Sequence, residues 1–434
     1  MENGWIDFLG YLYFNSFSFV IIFMIVFIVY YLTCIRKIYI DIFDPLSYAI
    51  MASIFSITVP IYMYYEDIIL DDSIFIVNIL SEIFYILGLI VFSKYKNIDK
   101  YLVINKNNVK NIIDKKYVYY LYVVIFFGIK IFFYIRYGIP LIDFDNQVDA
   151  LLANGIIAKI TVAITPVLIF LCLDRICNEK YIDTIPVAIG IIINLLLSGS
   201  KGSILIIVFS LFFYKLYLKK FDIKNDINFK RIYIVFFTLA VVAVFIPIGY
   251  RVSEGVDIDI LMEMFLVRLV GYGDIYPYLY NSNILNNILY NNDFYNLFIK
   301  HYAAIFRLVE YDNSMGTIGY QIVTNIYGTM AATAAPISRH HIFGLVCFGM
   351  YLAPIYSFIL GLITSFICRY IYIKLIGINI YIYILYTIIY SGIISCANEL
   401  TYGMDIIIFG ILFNSIILII CYFIKYLFDI KRLS

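Results

Sequence analysis

Between Gly249 and His341 the chain carries Arg251, Glu254, Arg268, Asp274, His301, Arg307, Glu310, Arg339, His340 and His341, so all three histidines of the 434 residues fall in one stretch. A second polar island is the turn Ser198-Gly199-Ser200-Lys201-Gly202. Guanidinium groups bind phosphate oxygens in a two-pronged way that few other side chains match. An arginine close to hydrocarbon costs several kcal/mol unless it is paired or hydrated, which marks it as a functional candidate. Arg251 and Arg268 are therefore the leading candidates for holding a pyrophosphate, with Lys201, Arg307 and Arg339 as further cationic contacts. Local pairing (Arg251 with Glu254, Arg307 with Glu310 or Asp312) and snorkelling to headgroups are the structural alternatives.

Imidazole titrates near neutral pH, so His301 is a candidate general base, as are His340 and His341. Among the carboxylates Glu310 is a catalytic candidate, while Glu254, Asp274 and Glu399 offer the same chemistry. The Ser198–Gly202 turn has Gly and Ser at the head of an apolar run, where backbone N–H groups can meet an anion, but it lacks phosphate-loop spacing. No His/Cys/Asp spacing resembles a metal site, and adjacent His340 and His341 are not expected to face one centre; no metal or cofactor is expected. Glu82 and Lys130 fall inside apolar runs and read as a structural pair.

These groups must be positioned by an unusually apolar chain. Hydrophobic residues make up 63% and charged residues 14%, against about 45–50% and about 25% in soluble domains. Mean hydropathy is +0.92. That composition cannot cover a globule in water, and runs of about 20 apolar residues suit a bilayer core. The fold expected is an all-α polytopic membrane protein, one integral membrane domain over 1–434. Spans are placed at Tyr11–Thr33, Pro45–Tyr65, Ile74–Phe92, Tyr117–Ile135, Ile156–Leu173, Ile185–Leu197, Ser203–Leu218, Ile232–Ile248, Ile342–Ile367, Ile378–Cys396 and Asp405–Ile424, about eleven in all. Acidic Glu2 and Asp7, with no small-residue cleavage site, make the first a permanent span rather than a signal peptide.

Alternate loops carry most of the Lys and Arg, including Lys94 to Lys116 and Lys219 to Arg231. By the positive-inside bias these are cytoplasmic. The N-terminus is then outside, the C-terminus inside, and 249–341 forms a large outer loop. Within that loop Ile260–Val270 and Phe294–Val309 read as amphipathic or dipping helices, and Asn281–Asn292 as a surface loop. The seven cysteines lie in or beside apolar runs and suggest no disulfide framework. No basic face accompanies a soluble domain, which argues against a nucleic-acid partner.

The stretch Leu197-Ser198-Gly199-Ser200-Lys201-Gly202-Ser203 resembles the "SGSRG"-type motif of bacterial O-antigen and capsule repeat-unit polymerases, with Lys201 where that family often has Arg. Thr317-Ile318-Gly319-Tyr320, the Phe343-Gly344-Leu345 to Gly361 region, and a large outer loop before the last spans are similar to the same family. The resemblance implies a multi-span fold shared with O-antigen ligases and an inverting glycosyltransferase in the bacterial inner membrane. Its substrates would be undecaprenyl-pyrophosphate-linked oligosaccharides, the growing chain being donor and a new unit's non-reducing end the acceptor. It implies no nucleotide sugar and no metal, contact with membrane lipids, and a chain-length regulator as a candidate partner. An O-antigen ligase is the nearest enzymatic alternative. A lipid-linked oligosaccharide flippase or other transporter is the alternative from another class.

Overall fold

The structure, a computed structural model, describes residues 4–38, 41, 43–68, 71–93, 115–139, 155–178, 180–197, 202–220, 293–310, 317–327, 336–374 and 380–433, with isolated positions 234, 238, 271, 273, 275–279 and 288. Among them every regular element is a helix. In chain order these are α1 (Gly4–Phe14), α2 (Ser16–Tyr30), α3 (Pro45–Tyr65), α4 (Asp72–Val91), α5 (Lys115–Tyr137), α6 (Gly155–Cys177), α7 (Tyr181–Leu197), α8 (Gly202–Lys220), α9 (Ile275–Leu279), α10 (His301–Ile305), α11 (Ile318–Tyr327), α12 (Arg339–Ser365), α13 (Ile380–Cys396) and α14 (Leu400–Leu433). A π-helical turn, Tyr31–Ile35, carries α2 onward.

Among the described residues seven helical stretches are long and apolar enough to cross a membrane: Ser16–Ile38, Pro45–Tyr65, Asp72–Val91, Lys116–Tyr137, Lys159–Cys177, Arg339–Lys374 and Leu400–Leu427. The chain is thus an all-α membrane protein. Two helix starts show why the chain turns where it does. Asp44 precedes Pro45 and accepts from the N–H of Leu46 at 2.9 Å; Asp71 accepts from that of Ser73 at 2.8 Å. Both are N-caps that satisfy a backbone donor the helix leaves open.

The expected span Ile342–Ile367 is not one straight helix. At Gly349 the backbone takes φ 76° and ψ 176°, conformations only glycine adopts at small cost. Beyond it the chain doubles back: His340 Nδ1 lies 2.9 Å from Ser357 Oγ, whereas seventeen residues of straight helix would separate them by about 25 Å. Gly344 sits against the Ala353 backbone, and Phe343 and Phe348 both pack on Tyr356 at 5.7 and 5.1 Å. Arg339–Phe348 is therefore a short half-helix folded against its own continuation. The expected helix over Phe294–Val309 is also shorter, a π-turn at Tyr295–Lys300 followed by α10, and it ends at Ile305.

The chain divides into two compact units. The first holds 1–97, 251–372 and 392–404. In it Phe8, Val59, Tyr62, Ile275, Ile322 and Phe343 form a buried apolar cluster. The returning limb of α12 packs on α4 through Gly88 and Gly361, so closely that a methyl on Gly88 would lie 2.7 Å from the Leu362 nitrogen. Small residues bring membrane helices together in this way because packing, not hydrophobic transfer, drives their association. The second unit holds 98–250, 373–391 and 405–434. There Phe170, Tyr217 and Tyr383 cluster, Tyr383 donates to the Phe213 carbonyl at 2.9 Å, and Lys159 pairs with Asp405.

Candidate functional site

Among the described residues of the first unit, a cluster of buried polar side chains lies where the half-helix begins. Ser338, Arg339, His340 and His341 are all buried, with Arg339 and His341 at 0% exposure. Facing them, α3 contributes Ser53, and α4 contributes Asn78, Ser81, Glu82 and Tyr85, all buried. The α4 set follows helical spacing and so forms a single inward face. Glu82 is near the middle of α4, about 15 Å from either end. A carboxylate at that depth is sustained only by close partners.

The Tyr30 hydroxyl donates to Glu82 Oε1 at 2.6 Å. His340 Nε2 is 3.1 Å and His341 Nδ1 is 3.6 Å from Glu82 Oε2. Both adjacent histidines thus face one centre, against expectation. The reason is local: they start a helix buried on every side, so the roughly 100° between successive residues still leaves both rings inside. Tyr85 stacks on His340 with centroids 4.4 Å apart, and Tyr276 of α9 contacts His341 Nε2 through its hydroxyl. Burial, then the Glu82 charge, keeps the Tyr276 phenol well above its ordinary pKa, so it is neutral. Glu82, read from sequence as a partner for Lys130, is engaged instead by Tyr30 and the histidines.

Arg339 is held from two directions. Its guanidinium bonds Asn398 Oδ1 and Ser53 Oγ, and its residue has φ 54°. The turn between α13 and α14 grips the same point: the N–H groups of Arg339 and His340 donate to the carbonyls of Asn398 at 2.9 Å and Ala397 at 3.1 Å. Donors left open at one helix start are met by carbonyls left open at another helix end. Next in this turn, Glu399 accepts from Ser338 Oγ at 2.6 Å and from Thr401 Oγ1 at 3.3 Å. Desolvation raises the Glu399 pKa above the usual carboxylate range, opposed by these two hydrogen bonds and by nearby His301.

Of the residues singled out from sequence, the structure brings Arg339, His340 and His341 together, with Glu399 alongside. His301 opens α10, is half-buried and lies close enough to act on Glu399. Arg307 and Glu310 are exposed on the turn after α10, Arg307 with φ 58°. Arg251, Arg268, Lys201, Glu254, Asp274, the 198–201 turn, Ile260–Val270 and all but Ile234 and Thr238 of Ile232–Ile248 lie outside the described residues. Gly319, within the Thr317–Tyr320 stretch, approaches the Pro336 carbonyl too closely for any side chain. Among the described residues the cysteines are all free thiols. Ser53, Asn78 and Ser81 were not anticipated; their signal was the helical spacing of small polar residues within apolar runs. No protein-family model, curated protein or solved structure matches this chain.

Proposed function

We propose that the chain is a membrane-embedded glycosyltransferase that joins oligosaccharide units carried on a lipid pyrophosphate, a repeat-unit polymerase of the O-antigen or capsule type. The observation that carries this reading is the interlock of Ser338-Arg339 with Asn398-Glu399, in which Glu399, a carboxyl of raised pKa, bonds Ser338 while the guanidinium of the next residue, Arg339, bonds Asn398. Transfer from a lipid pyrophosphate needs those two functions. Negative charge grows on the departing pyrophosphate, and a fixed cation in a dry site stabilises it as the glycosidic bond breaks. The acceptor hydroxyl must lose a proton as it attacks the anomeric carbon, and a carboxylate of raised pKa is a better base than an ordinary one. Arg339 takes the first role and Glu399 the second, with Arg251, Arg268 and Lys201 as further contacts to the pyrophosphate. On this reading the protein sits in the bacterial cytoplasmic membrane, the 249–341 loop faces outward, and the lipid tail lies between helices.

The test is a gel ladder from purified protein and its lipid-linked repeat unit. Elongated products from the wild-type protein support the reading. A second reading, a transporter of the same lipid-linked sugar, is favoured by the half-helix ending inside the helical bundle, since broken helices carry substrate sites in many transporters. Transbilayer movement of the lipid-linked sugar in vesicles, with no ladder, would establish the transporter and remove the polymerase.

A further inference from the structure

We infer that Glu82, His340 and His341 form a binding site for one divalent transition-metal ion of the zinc type. Each offers one ligand atom, and Glu82 Oε2, His340 Nε2 and His341 Nδ1 all lie within 4.8 Å of one another in a fully buried setting. Ligands held tetrahedrally at about 2.0–2.2 Å sit about 3.3–3.6 Å apart. The separations from the carboxylate oxygen to the two nitrogens, 3.1 and 3.6 Å, lie close to that spacing.

Three further observations point the same way. All three atoms are buried and none makes an aligned hydrogen bond; the two nitrogens stand at ion-pair distance from Glu82 Oε2. Three such atoms converging from two helices are placed as ligands around a common centre are placed. Second, the opposite edge of each group is already fixed: His340 Nδ1 by Ser357 Oγ at 2.9 Å, His341 Nε2 by the Tyr276 hydroxyl, and Glu82 Oε1 by Tyr30 at 2.6 Å. Such outer bonds set the tautomer and aim a ligand's lone pair at a metal. With an ion bound, His340 would carry its proton on Nδ1, donated to Ser357, and His341 on Nε2, donated to the Tyr276 oxygen. Third, two neutral imidazoles and one carboxylate leave a net positive charge when a divalent ion is bound. They suit zinc, iron(II) or cobalt(II) better than the oxygen-preferring magnesium or calcium. With three protein ligands a tetrahedral ion keeps one position for water or a substrate oxygen.

The inference goes beyond glycosyl transfer and stands without it, because it is read on the resting protein. The test uses full-length protein in detergent, purified without a polyhistidine tag, stripped with chelator and titrated with Zn²⁺ and with Co²⁺. The expected results are a single equivalent bound and a visible Co²⁺ absorption band of four-coordinate character. His341→Cys should keep the ion and add a thiolate-to-Co²⁺ charge-transfer band, while Ser357→Ala should weaken binding about 10- to 100-fold through its outer bond. Glu82→Gln should reduce binding further. Wild-type protein that takes up no stoichiometric Zn²⁺ or Co²⁺ would overturn the site without reference to any variant's folding. So would binding that stays unchanged in Glu82→Gln, with no thiolate band in His341→Cys.

Discussion

Glu82 Oε2 lies 3.1 Å from His340 Nε2, joining the middle of a spanning helix to the head of a half-helix that turns back at Gly349. That contact depends on the hairpin. In a straight α12 the head of the helix would lie far from the Ser357 that now holds the other nitrogen of the same ring.

The hairpin is open to a cross-linking test. A Cβ on Gly344 would lie 3.3 Å from that of Ala353, whereas in a continuous helix nine residues separate the two by about 13 Å. The pair Gly344→Cys and Ala353→Cys should form a disulfide on mild oxidation, read by peptide mass mapping. A pair that stays reduced while native packing is retained would mean a straight span.

Gly349→Ala should destabilise the protein by about 1–3 kcal/mol, because the residue occupies backbone space that a Cβ disfavours. Nothing lies within 4 Å of the added methyl, so the whole effect is backbone strain. Gly10→Ala, where the space is equally open but the backbone is helical, should leave the protein as stable or up to about 1 kcal/mol more stable. Equal melting temperatures for the two variants would contradict the assignment.

Gly361→Ala tests the packing of α12 on α4. Its methyl would overlap the Tyr85 carbonyl oxygen and crowd the Leu89 nitrogen at 3.2 Å. Forcing the two helices apart should cost about 1–3 kcal/mol and shift Glu82 from His340, seen as a lower melting temperature in detergent.

Glu399 gives a pH dependence with a definite sign. Its folded pKa is raised, so across the window between the ordinary carboxyl value and the raised one the folded state holds a proton the unfolded chain has lost. Stability must then fall as pH rises through that window. Glu399→Gln should remove this component, leaving a flatter melting temperature against pH; an unchanged slope would assign the dependence elsewhere.

The sequence made much of the fold legible: composition and apolar run lengths lead directly to an all-α membrane protein. Gly349 stayed hidden because glycine is common in membrane helices, and nothing in Phe348-Gly349-Met350 distinguishes a tolerated glycine from a reversal. Arg339, His340 and His341 were legible as polar residues at an apolar boundary. Their shared centre was not, since it depends on Glu82, which the chain brings back only through tertiary packing. Glu399 stood out less than Glu310, yet it is the carboxylate that packing bonds to Ser338, while the Arg339 guanidinium bonds the adjacent Asn398.

The most direct measurement is the initial rate of ladder formation from purified protein and its lipid-linked repeat unit, comparing wild type with Glu399→Gln at equal folded yield. A base at Glu399 predicts a loss of about 100- to 10,000-fold with substrate binding retained. The wild-type rate should also fall as pH drops through the raised Glu399 pKa, a limb absent from the variant. A ladder formed at the wild-type rate by Glu399→Gln would contradict the account.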